Sequence, residues 1–463
     1  MKYYIGIDLG TSAVKLILTD EVGAIKQTVS KAYPLFQPQP HYSEQNPEDW
    51  WNAVCDSLAE LTADIDKAEV SAIGVGGQMH GLVMLDKDDR VLRPAILWND
   101  TRTGKQTDFL NNEIGKDTLQ SRTGNIAFAG FTAPKLLWVK ANEPDIFAAC
   151  AKICLPKDYI NYKLTGVFAT DVSDASGTLY FDVEHRCWSK EMLELLSIGE
   201  AQLPAVFESA QVIGQTTLLG MHADVVAGAG DNAAAAIGTG TVNAGQCNIS
   251  LGTSGTVFLP TEAYVKTENP ALHSFCHANG KWHLMGCILS AASCNMWLNE
   301  RILQSDYSIE PGAPNETLFF LPYLSGERCP HNDGDVRGAF LGLEHTTKRE
   351  DLVLAVYEGV SFAIKDCIAL CPDAIKTATV CGGGTKSKAW MQVLADVLGI
   401  ELRVIENEGP ALGGALLAAG ISVKPQVQRT VTPNADAAAL YEKKYQKFKQ
   451  LYPLLRDFYR AED

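Results

Sequence analysis

Apolar and polar positions alternate at the start of the chain. Tyr3–Asp8 and Ala13–Thr19 are β-rich runs separated by Leu9-Gly10-Thr11-Ser12, and Ala24–Tyr33 follows a turn at Glu21-Val22-Gly23. Such runs, divided by turn residues, predict a β-meander. A loop with Pro34, Pro38 and Pro40 leads to a helix start, where Asn46 can cap and Pro47 suits the first position. Glu48 and Asp49 complement the positive end of the helix dipole. Trp51, Val54, Leu58 and Leu61 recur at helical spacing. A strand is expected over Ala72–Val75, followed by the Gly-rich segment Gly76-Gly77-Gln78-Met79-His80-Gly81. Strands alternating with helices through the rest of the chain predict an α/β class. Near the far end, Asn434 is expected to cap a polar helix running from Ala435 to about Tyr452 and packed on the second domain. Pro453 is expected to end it.

The chain echoes itself. Ile7-Asp8-Leu9-Gly10-Thr11-Ser12 is matched by Ile249-Ser250-Leu251-Gly252-Thr253-Ser254, a little over half the chain later. Each copy joins two β-rich runs, Val257-Phe258-Leu259 following the second as Val14–Leu18 follows the first. Two copies in one context predict duplicated domains, 1–243 and 244–463, with the boundary near Gly240–Gly245. A length of 463 residues accommodates them, at roughly 100–200 residues per domain.

Charge narrows the partners. Lys and Arg number 39 against 55 Asp and Glu, a formal net charge of −16. A surface that negative repels phosphodiester backbones and anionic lipid heads, which argues against nucleic acid and membrane surfaces. A small anionic ligand stays open, because a local Gly-rich turn holds phosphate whatever the global charge. The stretch Met1–Asp8 lacks the apolar core of a secretory signal, and no run approaches the roughly 18 apolar residues of a membrane span. The twelve cysteines are scattered in apolar contexts and read as free thiols of a cytoplasmic protein. Cys150 and Cys154, like Cys367 and Cys371, are four apart, as on one helix face. The cluster His273, Cys276, His277, His283, Cys287 and Cys294 lacks zinc-site spacing, and the residues around His283 read as strand packing.

Five stretches carry candidate chemistry. The two Gly-Thr-Ser turns offer backbone amides and hydroxyls to phosphate oxygens, or are plain hairpins. Asp8, present only in the first copy, either holds Mg²⁺ beside the turn or caps it. Cys381-Gly382-Gly383-Gly384-Thr385-Lys386-Ser387 lies between an apolar run at Ala378–Val380 and a helical pattern over Trp390–Leu398, a plausible nucleotide site that matches neither GxGxxG nor GxxxxGK[ST]. The segment Glu408–Ala415 opens a small-residue helix suited to close packing. Finally, the apolar run Val225-Val226-Ala227 meets the Gly turn Gly228-Ala229-Gly230 and ends in Asp231-Asn232, where Asp231 is either a catalytic base or part of an ordinary turn.

Together these segments resemble the FGGY family of carbohydrate kinases. Gly130-Phe131-Thr132-Ala133-Pro134-Lys135-Leu136-Leu137-Trp138 is similar to one family signature, and Gly228–Asn232 and Leu251–Gly255 are similar to others. Gly77–Gly81, Leu97–Asp100, Leu155–Tyr159, Leu324–Arg328, His273–His277 and Ser290–Cys294 also match, and the resemblance reaches to about Gly420. It implies the actin-like ATPase (ribonuclease H-like) fold, duplicated, with a catalytic cleft between the domains. The implied activity is ATP-dependent phosphorylation of D-xylulose to D-xylulose 5-phosphate. Members acting on glycerol carry Arg-Glu where Met79-His80 stand. Another ketose or polyol such as ribulose or xylitol, a sugar-binding regulator without turnover, and an actin- or chaperone-like ATPase are the alternative readings. The resemblance also implies roles. Met79, His80, Trp98, Asn99, Asp231 and Asn232 bind sugar, Asp231 is the base, and Asp8 supports Mg²⁺. Thr11, Ser12 and Lys15 approach the terminal phosphates of ATP with Gly252 and Thr253 opposite, while Gly382, Gly383 and Ser387 flank the adenosine. His80 also admits a purely structural role. The family further implies a homodimer.

Overall fold

The computed structural model describes residues 2–406 and 409–460, so Met1 and Glu408, used above, lie outside the described residues. The alternating N-terminal runs form the expected antiparallel meander, Tyr3–Leu9, Ala13–Asp20 and Ile25–Ala32. Ile5, Ile7 and Leu9 face the core with no exposure, which is what a period of two dictates for a strand covered on that face. The first sheet has six strands in the spatial order Val212–Thr216, Ala223–Gly230, Val70–Gly77, Tyr3–Leu9, Ala13–Asp20, Ile25–Ala32. The second has seven, in the order His273–Cys276, Trp282–Ile288, Gly255–Thr261, Gln246–Leu251, Thr377–Cys381, Glu401–Ile405, Val427–Val431.

The sheets share a plan. In each, the first strand of the hairpin pairs in parallel with a strand that arrives after a helix, and a second parallel strand lies beyond it. The crossover helices are Pro47–Leu61 and Arg349–Ala369. The echoed six residues thus occupy the same place in two copies of one α/β design. Asn46 caps the first helix by accepting from the Glu48 amide, as expected. Its buried face is led by Trp50 rather than Trp51, because Trp50, Val54, Leu58 and Leu61 share one stripe at 100° per residue. The Trp50 indole also has a buried partner, Gln45 Oε1 at 3.0 Å.

The small-residue helix Pro410–Ala419 packs closely, as its composition predicts, but on the first sheet although its sequence lies in the far half. A Cβ on Gly6 would lie 1.7 Å from Ala411 O, one on Gly74 2.1 Å from Gly414 O, and one on Gly413 1.8 Å from Ala234 O. Glycine here replaces side chains with backbone-on-backbone contact among two strands and the helices Pro410–Ala419 and Asp231–Gly238.

Three expectations change. The Gly turn before Asp231 is a bulge inside a strand. Gly228 takes φ +76, pairing with Val70–Gly77 shifts register there and resumes at Ala229, and the helix Asp231–Gly238 begins directly after Gly230. The C-terminal helix, capped by Asn434, runs Ala435–Arg460 through Pro453. Leu455 and Tyr459, beyond the proline, still pack on the second core, and that burial outweighs one missing backbone hydrogen bond. The paired cysteines do not share helices. Cys154 ends a strand that pairs with Val83–Leu85, and Cys371 follows the Arg349–Ala369 helix immediately before Pro372, which disfavours helical backbone. All twelve cysteines are free thiols. His283 stacks on Phe258 at 4.1 Å within the strand Trp282–Ile288, the packing role expected of it. Among the described residues no helix is long and apolar enough to cross a membrane.

The glycine contacts give a direct test. Gly6→Ala is expected to cost about 1–3 kcal/mol or to prevent folding, because backbone must move. Gly104→Ala, where a Cβ meets nothing within 4 Å, is expected to be neutral or to stabilise by about 0.4–1 kcal/mol. Denaturant midpoints for the two variants decide it; equal midpoints contradict the packing argument.

Candidate active site

The two echoed turns are built to the same electrical plan. In the first, every carbonyl is drawn inward: Gly10 O accepts from Tyr33 Oη, Thr11 O from Gln45 Nε2 at 2.7 Å, and Ser12 O from Tyr33 N at 3.4 Å. In the second, Gly252 O accepts from Ala292 N at 2.8 Å, and Thr253 O from Ala291 N at 2.9 Å and Ser293 Oγ at 2.7 Å. Among the described residues none accepts from the amides of Thr11, Ser12, Gly252 or Thr253. With carbonyls tied back and amides unspent, each turn presents positive peptide ends, the polarity an oxyanion requires.

The third Gly cluster abuts the second turn. Gly382 takes φ +96, and a Cβ there would lie 2.7 Å from Leu251 O. Gly383 faces open space. The strand Thr377–Cys381, this loop and the helix Lys388–Leu398 follow the predicted order. Ser387 is already employed, as the cap that accepts from Trp390 N at 3.1 Å. Gly252, Thr253, Gly382 and Gly383 therefore gather at one end of the second sheet.

At the corresponding end of the first sheet stand the two carboxylates. Asp8 is the penultimate residue of its strand, opposite Lys15 across the hairpin. Its pKa is pushed up to about 7, first by burial and then by the charge of Asp231, while Lys15 pulls it back. Asp231 is the first residue of its helix, where the dipole favours a carboxylate. Burial raises it to about 6, against hydrogen bonds from the Asn232 amide at 2.7 Å and side chain at 2.9 Å. Both of those bonds fall on Oδ1, so Oδ2 is the oxygen left for a ligand. A Cβ on Gly409, at the head of the Pro410–Ala419 helix, would sit 3.5 Å from Asp8 Oδ2. The far half of the chain thus reaches this corner.

Met79 lies beside Asp231, and His80 follows it in the chain. A Cβ on Gly230 would meet the Met79 thioether at 2.9 Å, so Met79 packs directly under the residue that precedes Asp231. His80 has φ +69, a backbone state that costs about 1–3 kcal/mol in a non-glycine residue and recurs at functional sites. Its carbonyl is held by Lys135 Nζ at 2.8 Å and Thr132 Oγ1 at 3.2 Å. Lys135 is itself fully buried, on the segment that resembled a family signature. The His80 ring stacks on Phe131 at 4.6 Å, and its Nδ1 lies 2.7 Å from Gly177 O. A carbonyl only accepts, so Nδ1 carries the proton and Nε2 is left as an acceptor for a hydroxyl. Burial, assisted by Lys135, lowers the ring's pKa to about 3. Trp98 is 46% exposed and donates its indole N–H to Thr11 Oγ1 at 2.9 Å, with Asn99 exposed next to it.

Sequence reasoning missed the support behind Asp231. Lys157, fully buried, lies 2.8 Å from Asp158, 3.2 Å from Asp171 and 4.0 Å from Asp174. Burial opposes its charge, but the three carboxylates outweigh burial and hold its pKa above the ordinary value. Asp171 accepts from Ser173 Oγ, which accepts from Gly230 N at 3.1 Å, one residue before Asp231. The advance signals were the family resemblance of Leu155–Tyr159 and a lysine beside an aspartate in an otherwise apolar run, Leu155–Ile160.

Comparison with known proteins gives the family. The model of the FGGY family of carbohydrate kinases, N-terminal domain, matches residues 3–238, and that of the C-terminal domain matches residues 247–421. The chain is 42% identical to the xylulose kinase of Escherichia coli (strain K12), over 98% of this chain and 99% of the relative. It superposes on the ligand-bound xylulose kinase of Lactobacillus acidophilus with a TM-score of 0.93 at 26% identity, covering 99% of each chain. It superposes on a gluconate kinase of Lactobacillus acidophilus with a TM-score of 0.92 at 27% identity, covering 98% of each.

The His80 assignment is open to NMR. His80 is expected to stay neutral, protonated at Nδ1, down to a pH near 3, whereas exposed His185, raised by Asp182, titrates above 6.5. Unfolded His80 binds its proton more readily than folded His80. Its effect on stability is therefore nil above pH 6.5 and grows destabilising as pH falls below that value. A His80 ring that titrates near 6.5 contradicts the arrangement. Gly177→Ala, whose Cβ would strike the ring at 2.4 Å, is expected to displace the signal.

Proposed function

Because the chain belongs to the FGGY family of carbohydrate kinases, we propose that it transfers the γ-phosphoryl group of ATP to D-xylulose, giving D-xylulose 5-phosphate. The observation that carries this reading is Asp231. It stands at a helix N-terminus beside Asp8 and above Met79, with one carboxylate oxygen free of protein bonds among the described residues. A carboxylate raised to about 6 is ionised at neutral pH yet more basic than an ordinary aspartate, which suits it to take a proton from an attacking hydroxyl.

The other residues have matching tasks. The neutral His80 offers Nε2 to one sugar hydroxyl, Asn232 binds another, and Trp98 with Asn99 covers the sugar. The free amides of Thr11 and Ser12, with Lys15, receive phosphate oxygens from one side, and those of Gly252 and Thr253 from the other. Gly383 leaves room for the adenosine, Gly382 lets the loop lie against Leu251 beneath it, and Ser387 holds the helix that follows. Residues 1–243 serve sugar and phosphate and residues 244–463 serve nucleotide, so closure of the cleft excludes water.

Mg²⁺ fits the Asp8 corner. A partly buried carboxylate close enough to a second one to be raised by it favours a cation, and Mg²⁺ characteristically takes one or two carboxylates plus substrate phosphates and water. Asp8 would hold the ion, which supplies charge neutralisation on the phosphates. The gluconate kinase shows that this fold accommodates more than one sugar. The choice of D-xylulose rests on the relatives of higher identity and on an uncharged wall of Met79 and neutral His80. Twelve free thiols accord with the cytoplasm, where ATP is plentiful. A homodimer completes the reading.

Coupled detection of ADP release across D-xylulose, D-ribulose, xylitol, glycerol and gluconate tests the substrate. D-Xylulose is expected to give the highest kcat/KM, and a clear preference for another acceptor overturns the sugar while keeping the class. Asp231→Asn is expected to lower kcat by about 10²–10⁴-fold with ATP affinity nearly unchanged. A fully active variant removes Asp231 from the role of base.

A further inference from the structure

The hydrogen bonds under the first turn have only one possible direction. The Trp50 indole can only donate, and it donates to Gln45 Oε1 at 3.0 Å. That fixes the Gln45 amide, whose Nε2 then donates to Thr11 O at 2.7 Å and to Pro34 O at 3.3 Å. Gln78 Nε2 also donates to Gln45 Oε1 at 3.0 Å, which turns Gln78 Oε1 toward Thr11. The hydrogen of the Thr11 hydroxyl is consumed there, at 3.2 Å, and its lone pair accepts from Trp98 Nε1 at 2.9 Å. The relay therefore starts and ends on indoles that cannot reverse it. Gln45 and Gln78 are buried, while the Trp98 ring stands 46% exposed.

We propose that Gln45 and Gln78 are positioning residues of the phosphate turn, and that Trp98 ties the turn to the sugar pocket through the Thr11 hydroxyl. The proposal rests on the reading above, in which this turn meets the terminal phosphates. Thr11 then serves phosphate through its backbone amide, because its hydroxyl hydrogen is already committed to Gln78. A sugar that packs on the Trp98 ring restrains the indole, which restrains Thr11, which holds the amides of Thr11 and Ser12 in place. Sugar and nucleotide binding are coupled by this route, and the coupling is reciprocal.

Two measurements test it. The first uses the ligand-free protein and no activity: hydrogen exchange at the Gly10 amide, bonded to Ala13 O, and the Tyr33 amide, bonded to Ser12 O. Gln78→Leu and Thr11→Val are expected to speed both by roughly tenfold, the worth of one buried hydrogen bond, whereas Thr11→Ser keeps the hydroxyl and the slow rate. The second is the affinity for a non-hydrolysable ATP analogue with and without D-xylulose. Wild type is expected to bind the analogue at least about fivefold more tightly with sugar present. Trp98→Phe, a partly exposed site that keeps an aromatic ring and puts the fold at no risk, is expected to bring that ratio close to one. Unchanged exchange in Gln78→Leu overturns the positioning role, and an unchanged ratio in Trp98→Phe overturns the tie to the sugar pocket. Failure of the functional reading looks different: wild type then phosphorylates no sugar, while the exchange contrast between Thr11→Val and Thr11→Ser persists.

Discussion

The peptide polarity of two short turns is the constraint on which the rest of this molecule depends. A turn holds an oxyanion through its amides only if its carbonyls are satisfied elsewhere, since a carbonyl left beside a phosphate repels it. The two halves meet that demand with different materials. The second turn is held mainly by backbone amides of Ala291 and Ala292, with the Ser293 hydroxyl beside them, at the entry to the helix Ala292–Trp297. The first is held mainly by side chains, Tyr33 and Gln45, themselves fixed by Trp50 and Gln78. Backbone support is insensitive to sequence, whereas side-chain support can be wired to other groups, here to Trp98.

The carboxylates obey a second constraint, close approach. The strand that carries Asp8 and the helix that carries Asp231 converge on the Pro410–Ala419 helix, and contacts at Gly6, Gly74 and Gly413 leave no room for a Cβ. This three-way contact binds the far half of the chain to the first sheet and puts Gly409 next to Asp8. Below Asp231, the buried Lys157 with Asp158, Asp171 and Asp174 supplies a fixed charge arrangement that reaches Gly230 through Ser173. Removing one member of such a cluster leaves the others buried and uncompensated, so it acts as a unit.

Burial also sets the electrical state of His80. His80 is kept neutral by desolvation and by the neighbouring Lys135, whose own charge is disfavoured by burial. The bond to Gly177 O chooses its tautomer. That bond leaves His80 Nε2 as an acceptor.

The sequence by itself determined the elements and their order. Alternation in Tyr3–Thr19, the cap and proline at Asn46-Pro47, the strand–Gly–helix pattern around Gly382 and the Leu-Gly-Thr-Ser echo depend on neighbours a few residues away, where local sterics and hydrogen bonding decide. Asp8 and Asp231 were legible as candidates because each closes an apolar run beside glycines. Only the tertiary structure decided which distant groups meet. It packed the Pro410–Ala419 helix on the first sheet, turned the glycines before Asp231 into a bulge, carried the last helix past Pro453, and joined Gln45, Gln78 and Trp98 at Thr11. The reason is physical. Periodicity records which face of an element is buried, but it holds no record of what buries it, and the direction of a hydrogen bond exists only once both partners are in place.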